Sequence, residues 1–264
     1  MAVQVICMSA SRHIPVQPNL FNLTKESYLV PKEAPSVLVT PSNFLGQLSP
    51  EDYADLLAIA RVKYYVRGEL VFAAGSPGET VYFLRSGQVK IGQFSSLGRE
   101  VILWFCLAGE IFGLAEVSRG GGRVVNAQAC EPSEVLAVSQ LEFRTFIESH
   151  PRVALLSLQV LSSRLRLLGE MFFNLVADDV YTRIAKLILR LSARYGVRCG
   201  KEILLDIPLT HQEIADMVGT TRQTVTSVLN QLRRQGVLSI ENRRIRVESE
   251  DFLNEMTLGG GGSS

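Results

Sequence analysis

The chain has 264 residues, of which 47% are hydrophobic and 20% are charged, and its formal net charge is +1. These values fit a folded protein with room for two domains, and they exclude a global electrostatic attraction to nucleic acid or to membranes. No uninterrupted apolar stretch reaches the length of a membrane span, and the first residues lack the charged start and apolar run of a signal peptide, so we expect a cytoplasmic protein.

The spacing of cysteine and histidine gives no sign of a disulfide framework or of a metal site. The residues concerned are Cys7, Cys106, Cys130, Cys199, His13, His150 and His211. They stand far apart, with no CxxC pair and no other ligand spacing. We therefore predict no metal site, while the redox activity of the four thiols stays an open question.

The first part of the chain is predicted to be an irregular extension followed by a β-roll. Residues 1–40 contain four prolines and show no sustained period. A serine cap at Ser49 begins a helical pattern that continues to about Val66. From there to residue 138, short alternating apolar runs are separated by glycines, which predicts a compact antiparallel roll over residues 41–150.

Within this roll, the segment GEIFGLAEVSRGGGRVV at residues 109–125 has the composition of an anion site. Its glycines would let backbone N–H groups approach a ligand, and Arg123 could donate two hydrogen bonds to a phosphate. The segment precedes a strand, so it does not match a P-loop, and the turns of a roll explain its glycines without a ligand. No nucleophile with a base and no paired carboxylates appear, so we expect no enzyme.

A long helical pattern over residues 151–177 connects the roll to the rest of the chain. Apolar residues spaced alternately by four and three form one stripe, and a second stripe lies on another face. The first stripe, which we interpret as a dimer seam, consists of Leu158, Leu161, Leu165, Leu168, Phe172 and Leu175. A helix that is apolar on two sides has to bury both, which predicts a homodimer; the alternative is a core helix in a monomer.

Residues 178–256 are predicted to form a winged helix-turn-helix domain. Thr210 and Glu213 have the spacing of a capping box at the start of a short helix, and Gly219 supplies the positive φ of a tight turn. A second helix begins at Thr221 and buries apolar residues at helical spacing. The following segment, VLSIENRRIRV, predicts two short strands around a turn, which together form a wing.

The polar face of the second helix and the local charge favour DNA as the partner. Between residues 180 and 247, twelve Lys and Arg stand against five Asp and Glu. Contacts to base edges are predicted for Arg222, Gln223, Thr226 and Ser227. Among them, Arg222 suits guanine O6 and N7. Contacts to DNA phosphates are predicted for Thr210, His211, Gln212, Thr221, Thr224, Arg243 and Arg244.

The order of these parts resembles the CRP/FNR superfamily of bacterial transcription regulators. The resemblance covers about residues 45–250 and is strong at NLVADDVYTRIAKLIL and LTHQEIADMVGTTRQTVTSVLNQLRRQGVLSI. It implies an α+β fold with an N-terminal antiparallel β-roll of the cyclic-nucleotide-binding, jelly-roll kind, a long dimerisation helix and a C-terminal winged helix-turn-helix. It also implies a homodimer on two-fold symmetric double-stranded DNA, allosteric control through the roll, and contact with RNA polymerase.

The resemblance further implies where an effector would bind. The positions that match the cyclic-nucleotide branch are Gly113, Leu114, Arg123, Val124 and, on the connecting helix, Leu168. Only the glycine and the arginine keep the residue types with which that branch holds its ligand. Because Leu114 and Val124 offer no polar group, ligand groups would stay unpaired at about 1–3 kcal/mol each. The sequence therefore disfavours cyclic AMP as the signal.

Other signals and functions stay open at this point. An iron–sulfur cluster is disfavoured because the N-terminal region holds Cys7 alone where the iron–sulfur branch has several cysteines. Haem, an apolar ligand or no ligand at all remain alternatives; the candidate haem ligands are Cys7, Met8, His13 and Cys106. The alternative functions are a ligand-responsive module that acts on a partner protein and a true cyclic-nucleotide regulator with a variant pocket. Residues 257–264 are predicted to be a flexible tail.

Overall fold

The computed structural model of the protein describes residues 43–118 and 120–258. Cys7, Met8 and His13, with the predicted extension over residues 1–40, lie outside the described residues. Within the described part of the chain, no helix is both long enough and apolar enough to cross a membrane.

The N-terminal half of the described chain is an antiparallel roll of eight strands, as predicted. The strands are β1 Arg61–Tyr65, β2 Leu70–Phe72, β3 Thr80–Ser86, β4 Gln88–Phe94, β5 Glu100–Leu107, β6 Ile111–Phe112, β7 Asn126–Ala129 and β8 Ser133–Ser139. One sheet has the order β1-β8-β3-β6 and the other has the order β2-β7-β4-β5. Two clusters of buried apolar side chains fill the roll, one on each side of β3, because successive side chains along a strand point to opposite faces.

Helices flank the roll and build the C-terminal domain. They are α1 Pro50–Ile59, α2 Gln140–Ser149, α3 Pro151–Ala177, α4 Val180–Tyr195, α5 His211–Val218, α6 Arg222–Arg234 and α7 Glu250–Leu258. Four further strands, β9 Gly196–Cys199, β10 Glu202–Leu205, β11 Leu238–Glu241 and β12 Arg244–Val247, form an antiparallel sheet in the order β11-β12-β10-β9. The fold is thus α+β, with a winged helix-turn-helix at the C-terminus.

The first helix is shorter than the sequence pattern predicted. It begins as expected, with Ser49 as the N-cap and Asp52 completing a capping box. It ends at Ile59, however, and residues 61–65 form β1 instead of a further helical turn. The prediction of a helix to Val66 is wrong because the valine and tyrosines of this segment favour a strand, and β8 provides the antiparallel partner along the whole of β1.

The connecting helix α3 lies on its own roll by one face. Val153, Val160 and Leu167 are buried on that face, and Val153 and Val160 join the roll core. Arg164 is buried beside them, where its guanidinium donates to the backbone carbonyl of Ile111 and lies 5.0 Å from the centroid of the Trp104 ring. The apolar residues of the opposite face stay exposed.

The C-terminal domain packs against the roll through β5. Ile102 and Phe105 of this strand are buried in the same apolar cluster as α4, α5 and α6. The Tyr195 hydroxyl donates to the Phe105 carbonyl at 3.2 Å. Arg194 Nη2 lies 2.6 Å from Glu110 Oε1 in an ion pair that is almost fully buried. The turn that opens GEIFG is thereby attached directly to α4.

Replacing Asp179 with alanine is expected to lower the free energy of unfolding by about 1 kcal/mol. Asp179 caps α4 by accepting a hydrogen bond from the backbone N–H of Thr182 at 2.7 Å, and this bond lowers the pKa of its carboxyl. Because the pKa is lowered on folding, this stabilisation is present at neutral pH and is lost as the pH falls through the folded value. Urea unfolding at a fixed protein concentration measures the change.

Asp179→Ser is the matched control, since serine also caps a helix. This variant should retain most of the free energy of unfolding at neutral pH. It should lose the part of the pH dependence that comes from protonation of the Asp179 carboxyl. Equal losses in the alanine and serine variants would contradict the capping role.

Candidate nucleic-acid interface and roll pocket

The helix-turn-helix is fixed by local hydrogen bonds at both ends of α5. The Thr210 side chain accepts from the backbone N–H of Glu213, and the Glu213 carboxylate accepts from the backbone N–H of Thr210 at 2.8 Å. Gly219 follows α5 with a φ of 70°, a left-handed conformation that a residue with a Cβ adopts only at a cost. The predicted capping box and the predicted tight turn are both present.

The second helix of the motif, α6, buries one face and exposes the other. Thr221 is its N-cap, and the side chains packed into the domain core are Val225, Val228, Leu229 and Leu232. On the outer face, Arg222, Gln223 and Ser227 are exposed, and Thr226 is half-buried. The structure therefore places all four predicted base-contacting residues on one accessible face of α6.

The wing is a tight hairpin that presents arginine at its tip. Glu241 and Arg244 are paired across β11 and β12, so that Asn242 and Arg243 alone form the loop. Both have positive φ, 52° and 65°, as a two-residue type I′ turn requires. Arg243 is exposed at this tip, whereas Arg244 forms an ion pair with Asp206 at 2.6 Å.

Several of the predicted phosphate contacts are already hydrogen-bonded within the domain. The Thr210 hydroxyl lies 2.8 Å from the Glu213 carboxylate, and Gln212 Nε2 donates to Asp216. The hydroxyls of Thr221 and Thr224 lie 2.9 Å apart. These groups can meet a phosphate only with the hydrogen-bonding capacity that the domain leaves unused. The freer donors are Arg243 at the wing tip and the backbone N–H groups at the starts of α5 and α6 that the caps do not use.

The junction between α3 and α4 is held by two basic side chains of α4. Arg183 donates to the carbonyl of Asp178, at the end of α3, and to the carbonyl of Val218, at the end of α5. Lys186 Nζ donates to Asn174 of α3 at 3.1 Å and pairs with Asp178 at 2.8 Å. The direction of α3 is therefore coupled to the position of the helix-turn-helix.

In the roll, the predicted anion-binding arginine is paired within the chain. The Arg123 side chain is 1% exposed and forms an ion pair with Glu116, whose side chain is 8% exposed. The guanidinium also donates to the carbonyls of Thr80 and Gly113, and its Cζ lies 4.3 Å from the centroid of the Phe72 ring. The anion paired with Arg123 is thus a carboxylate of the protein itself.

Among the other predicted pocket positions, Gly113 is adjacent to Arg123: with a φ of 76°, a Cβ there would lie 3.1 Å from Arg123 Nη1. Leu114, by contrast, is buried in the roll core, and Val124 is 64% exposed. Leu168 is half-buried on α3. The structure brings together the glycine and the arginine of the predicted set.

The described thiols differ in accessibility. Burial raises the pKa of Cys106 to about 12 and that of Cys130 to about 11, so neither forms a thiolate at neutral pH. Cys199 is exposed on β9. Among residues 43–118 and 120–258, no group of three or more His, Cys, Asp and Glu side chains is arranged to hold a metal ion.

Two side-chain contacts between separate elements of the fold were missed by sequence reasoning. The ion pair of Glu110 and Arg194 joins residues 84 positions apart, and no local pattern predicts it. The hydrogen bond between His211 and Thr226, at 2.8 Å, joins the two helices of the motif. The signal that could have indicated the second contact is the presence of polar residues on both α5 and α6, His211 on the first and Thr226 on the second.

Two family models match the chain, one on each domain. Residues 62–150 match the cyclic nucleotide-binding domain, and residues 182–256 match the Crp-like helix-turn-helix domain.

Known proteins are similar to this chain over most of its length. A global nitrogen regulator of Nostoc sp. is 32% identical over 195 residues, which are 73% of this chain and 87% of that protein. A CRP-like cAMP-activated global transcriptional regulator of Mycobacterium tuberculosis is 31% identical, over 72% of this chain and 84% of that protein. Among solved structures, a CooA mutant from Carboxydothermus hydrogenoformans superposes with a TM-score of 0.73 at 26% identity, covering 83% of this chain and 97% of that one.

Proposed function

The chain belongs to the CRP/FNR superfamily of transcription regulators, and from this premise we propose that it binds a two-fold symmetric operator as a homodimer, with α6 of each protomer in one half-site. It is a regulator with a helix-turn-helix DNA-binding domain and not an enzyme. The observation that carries the proposal is the exposed polar face of α6, with Arg222 and Gln223 in its first turn. The first turn of a recognition helix is the part that contacts base edges in the major groove.

The proposed dimer forms through the outer face of α3, which packs against the same face of a second copy of this chain. The seam residues with the highest exposure are Leu158 at 58%, Leu165 at 73% and Phe172 at 70%. They repeat by seven, which is the period of a helix packed against a parallel copy of itself. Since the other face of α3 already covers the roll, this stripe is the one that needs a partner. A symmetric seam would place the two α6 helices about one turn of DNA apart.

We propose that the signal is not cyclic AMP. A nucleotide phosphate would have to displace Glu116 from Arg123, and the carboxylate would then be left buried beside a second anion. One relative is named as cAMP-activated and another as a nitrogen regulator, and these names leave the signal of this chain open. Whatever the signal, we propose that it reaches α4 through the Glu110–Arg194 pair and reaches α3 through Arg164, with a pivot at residues 176–179.

The family resemblance also supports RNA polymerase as a partner at the promoter.

Arg222→Ala tests the proposal. We expect it to weaken binding to the preferred duplex by about 1–3 kcal/mol and to relax the preference at one base position, because a bidentate contact to guanine is lost. The measurement is fluorescence anisotropy with a duplex that the protein has selected from a randomised library. Arg198→Ala is the matched control, since Arg198 is an exposed arginine of the same domain on β9, at the opposite edge of the sheet from the wing strand β11.

Two outcomes would contradict this reading. An equal loss on every duplex would assign Arg222 to a phosphate. Binding that does not weaken as salt rises would favour the alternative, a domain that docks on a partner protein, because release of counterions makes DNA binding steeply dependent on salt.

A further inference from the structure

Thr226, in the middle of the exposed face of α6, has its hydroxyl engaged within the protein. Thr226 Oγ1 donates to the backbone carbonyl of Arg222 at 2.9 Å, and it lies 2.8 Å from Nδ1 of His211. The Arg222 carbonyl accepts, and Nδ1 of His211 accepts in one tautomer and donates in the other. In either tautomer the single hydroxyl proton of Thr226 has an acceptor within the protein.

This arrangement changes what Thr226 can offer to a base. The hydroxyl has no proton left for the acceptors of the major groove, which are guanine O6 and N7, adenine N7 and thymine O4. Its position is set by two hydrogen bonds from different helices, so the side chain does not rotate freely. The groups that remain are one lone pair of the oxygen and the γ-methyl, and the group that matches the methyl in the major groove is the C5-methyl of thymine.

His211 is suited to hold this position. It is the first residue of α5, half-buried, and it reaches across to α6. Burial and the nearby Arg222 lower its pKa, which favours the uncharged imidazole at neutral pH. The contact is thus a neutral hydrogen bond that fixes a side chain on the recognition face.

We propose that Thr226 recognises a thymine through its methyl group and that His211 is the positioning residue that makes this contact methyl-specific. The inference rests on the proposed function, because it assumes that the outer face of α6 lies in the major groove. It goes further by giving the chemistry of one base position and by giving His211 a role beyond contact with a phosphate.

The test compares thymine with deoxyuridine, which differs by that one methyl group. The full-length protein first selects a duplex from a randomised library. Each thymine of the selected half-site is then replaced by deoxyuridine, and affinities are measured by fluorescence anisotropy. One position should bind about fourfold more weakly as deoxyuridine, which is the effect of one methyl group leaving a buried contact.

Variants of Thr226 assign the effect to the side chain. Thr226→Ser keeps the hydroxyl and its two hydrogen bonds but lacks the γ-methyl, so the thymine-to-uracil ratio at that position should fall to about one. Thr226→Val keeps a methyl group on a side chain that is stiff in a helix, so the ratio should persist. A wild-type ratio at every position in the serine variant would overturn the proposal.

Variants of His211 test the positioning role. His211→Ala removes one of the two hydrogen bonds that fix the Thr226 side chain and should lower the ratio, whereas His211→Asn, whose amide can donate or accept close to the position of Nδ1, should restore it. If His211 only contacted a phosphate, the alanine variant would weaken all duplexes equally and leave the ratio unchanged. A selection that returns no consensus would overturn the proposed function itself, and with it this inference; a consensus without any uracil-sensitive thymine would overturn the inference alone.

Discussion

Arg123→Met is expected to lower the free energy of unfolding by about 3–5 kcal/mol, the cost of breaking a buried ion pair from one side. The methionine fills much of the same space, but it leaves the Glu116 carboxylate buried without its cation. It also removes the donor to the carbonyls of Thr80 and Gly113. Urea unfolding followed by fluorescence measures the loss, and the roll should be the part that opens first.

The double variant Arg123→Met/Glu116→Leu is the control for this explanation. It removes both charges, so it should be more stable than Arg123→Met alone, because no buried charge is left unpaired. If the two variants are equally unstable, the carbonyl contacts and the packing on Phe72 carry the effect, and the ion pair does not.

The same samples test whether the pocket accepts a cyclic nucleotide. Because Arg123 is already paired with Glu116, millimolar cyclic AMP is expected to leave the melting temperature of the wild-type protein unchanged. A ligand that binds only the folded state raises that temperature, and the rise grows with the logarithm of its concentration above the dissociation constant. A clear rise would show that cyclic AMP binds the folded protein, and the proposal on the signal would be wrong.

Local chemistry explains which features could be predicted from the sequence. The capping box of Thr210 and Glu213 and the left-handed Gly219 depend on neighbours within a few residues, and both are present as predicted. The end of α1 at Ile59 was missed, because helical spacing of apolar residues continues into a segment that is a strand only when β8 lies beside it. The pattern alone could not separate the two.

Long-range pairing explains what could not be predicted. The sequence singled out Arg123 as a cation in a glycine-rich segment, but its pairing with Glu116 depended on the fold of the turn. Glu110 lies in the same segment, and its partner Arg194 is on the second domain. Charge patterns could not pair them, because twelve basic residues of that domain were equivalent candidates. The segment at residues 109–125 thus takes part in two internal ion pairs, one within the segment between Glu116 and Arg123 and one between Glu110 and Arg194 of the second domain.

Leu165→Glu is expected to convert the proposed dimer to monomers, with a dissociation constant about 100-fold to 10,000-fold higher. Each protomer loses a leucine whose burial is worth about 1.5–3 kcal/mol, and the symmetric seam counts this loss twice. Two carboxylates would also face each other across the axis, which adds to the effect. Sedimentation velocity over a concentration series measures the change.

Leu141→Glu is the matched control, because Leu141 is 76% exposed, close to the 73% of Leu165, but lies on α2 and outside the seam. It should leave the dimer intact. Since both leucines are exposed in the single chain, neither change should unfold the protomer, and circular dichroism checks this. The monomeric variant should bind one half-site weakly and lose the gain from linking two half-sites, because the second contact is no longer intramolecular. If Leu165→Glu stays dimeric, the seam is not the interface, and the exposed stripe of α3 would need another partner.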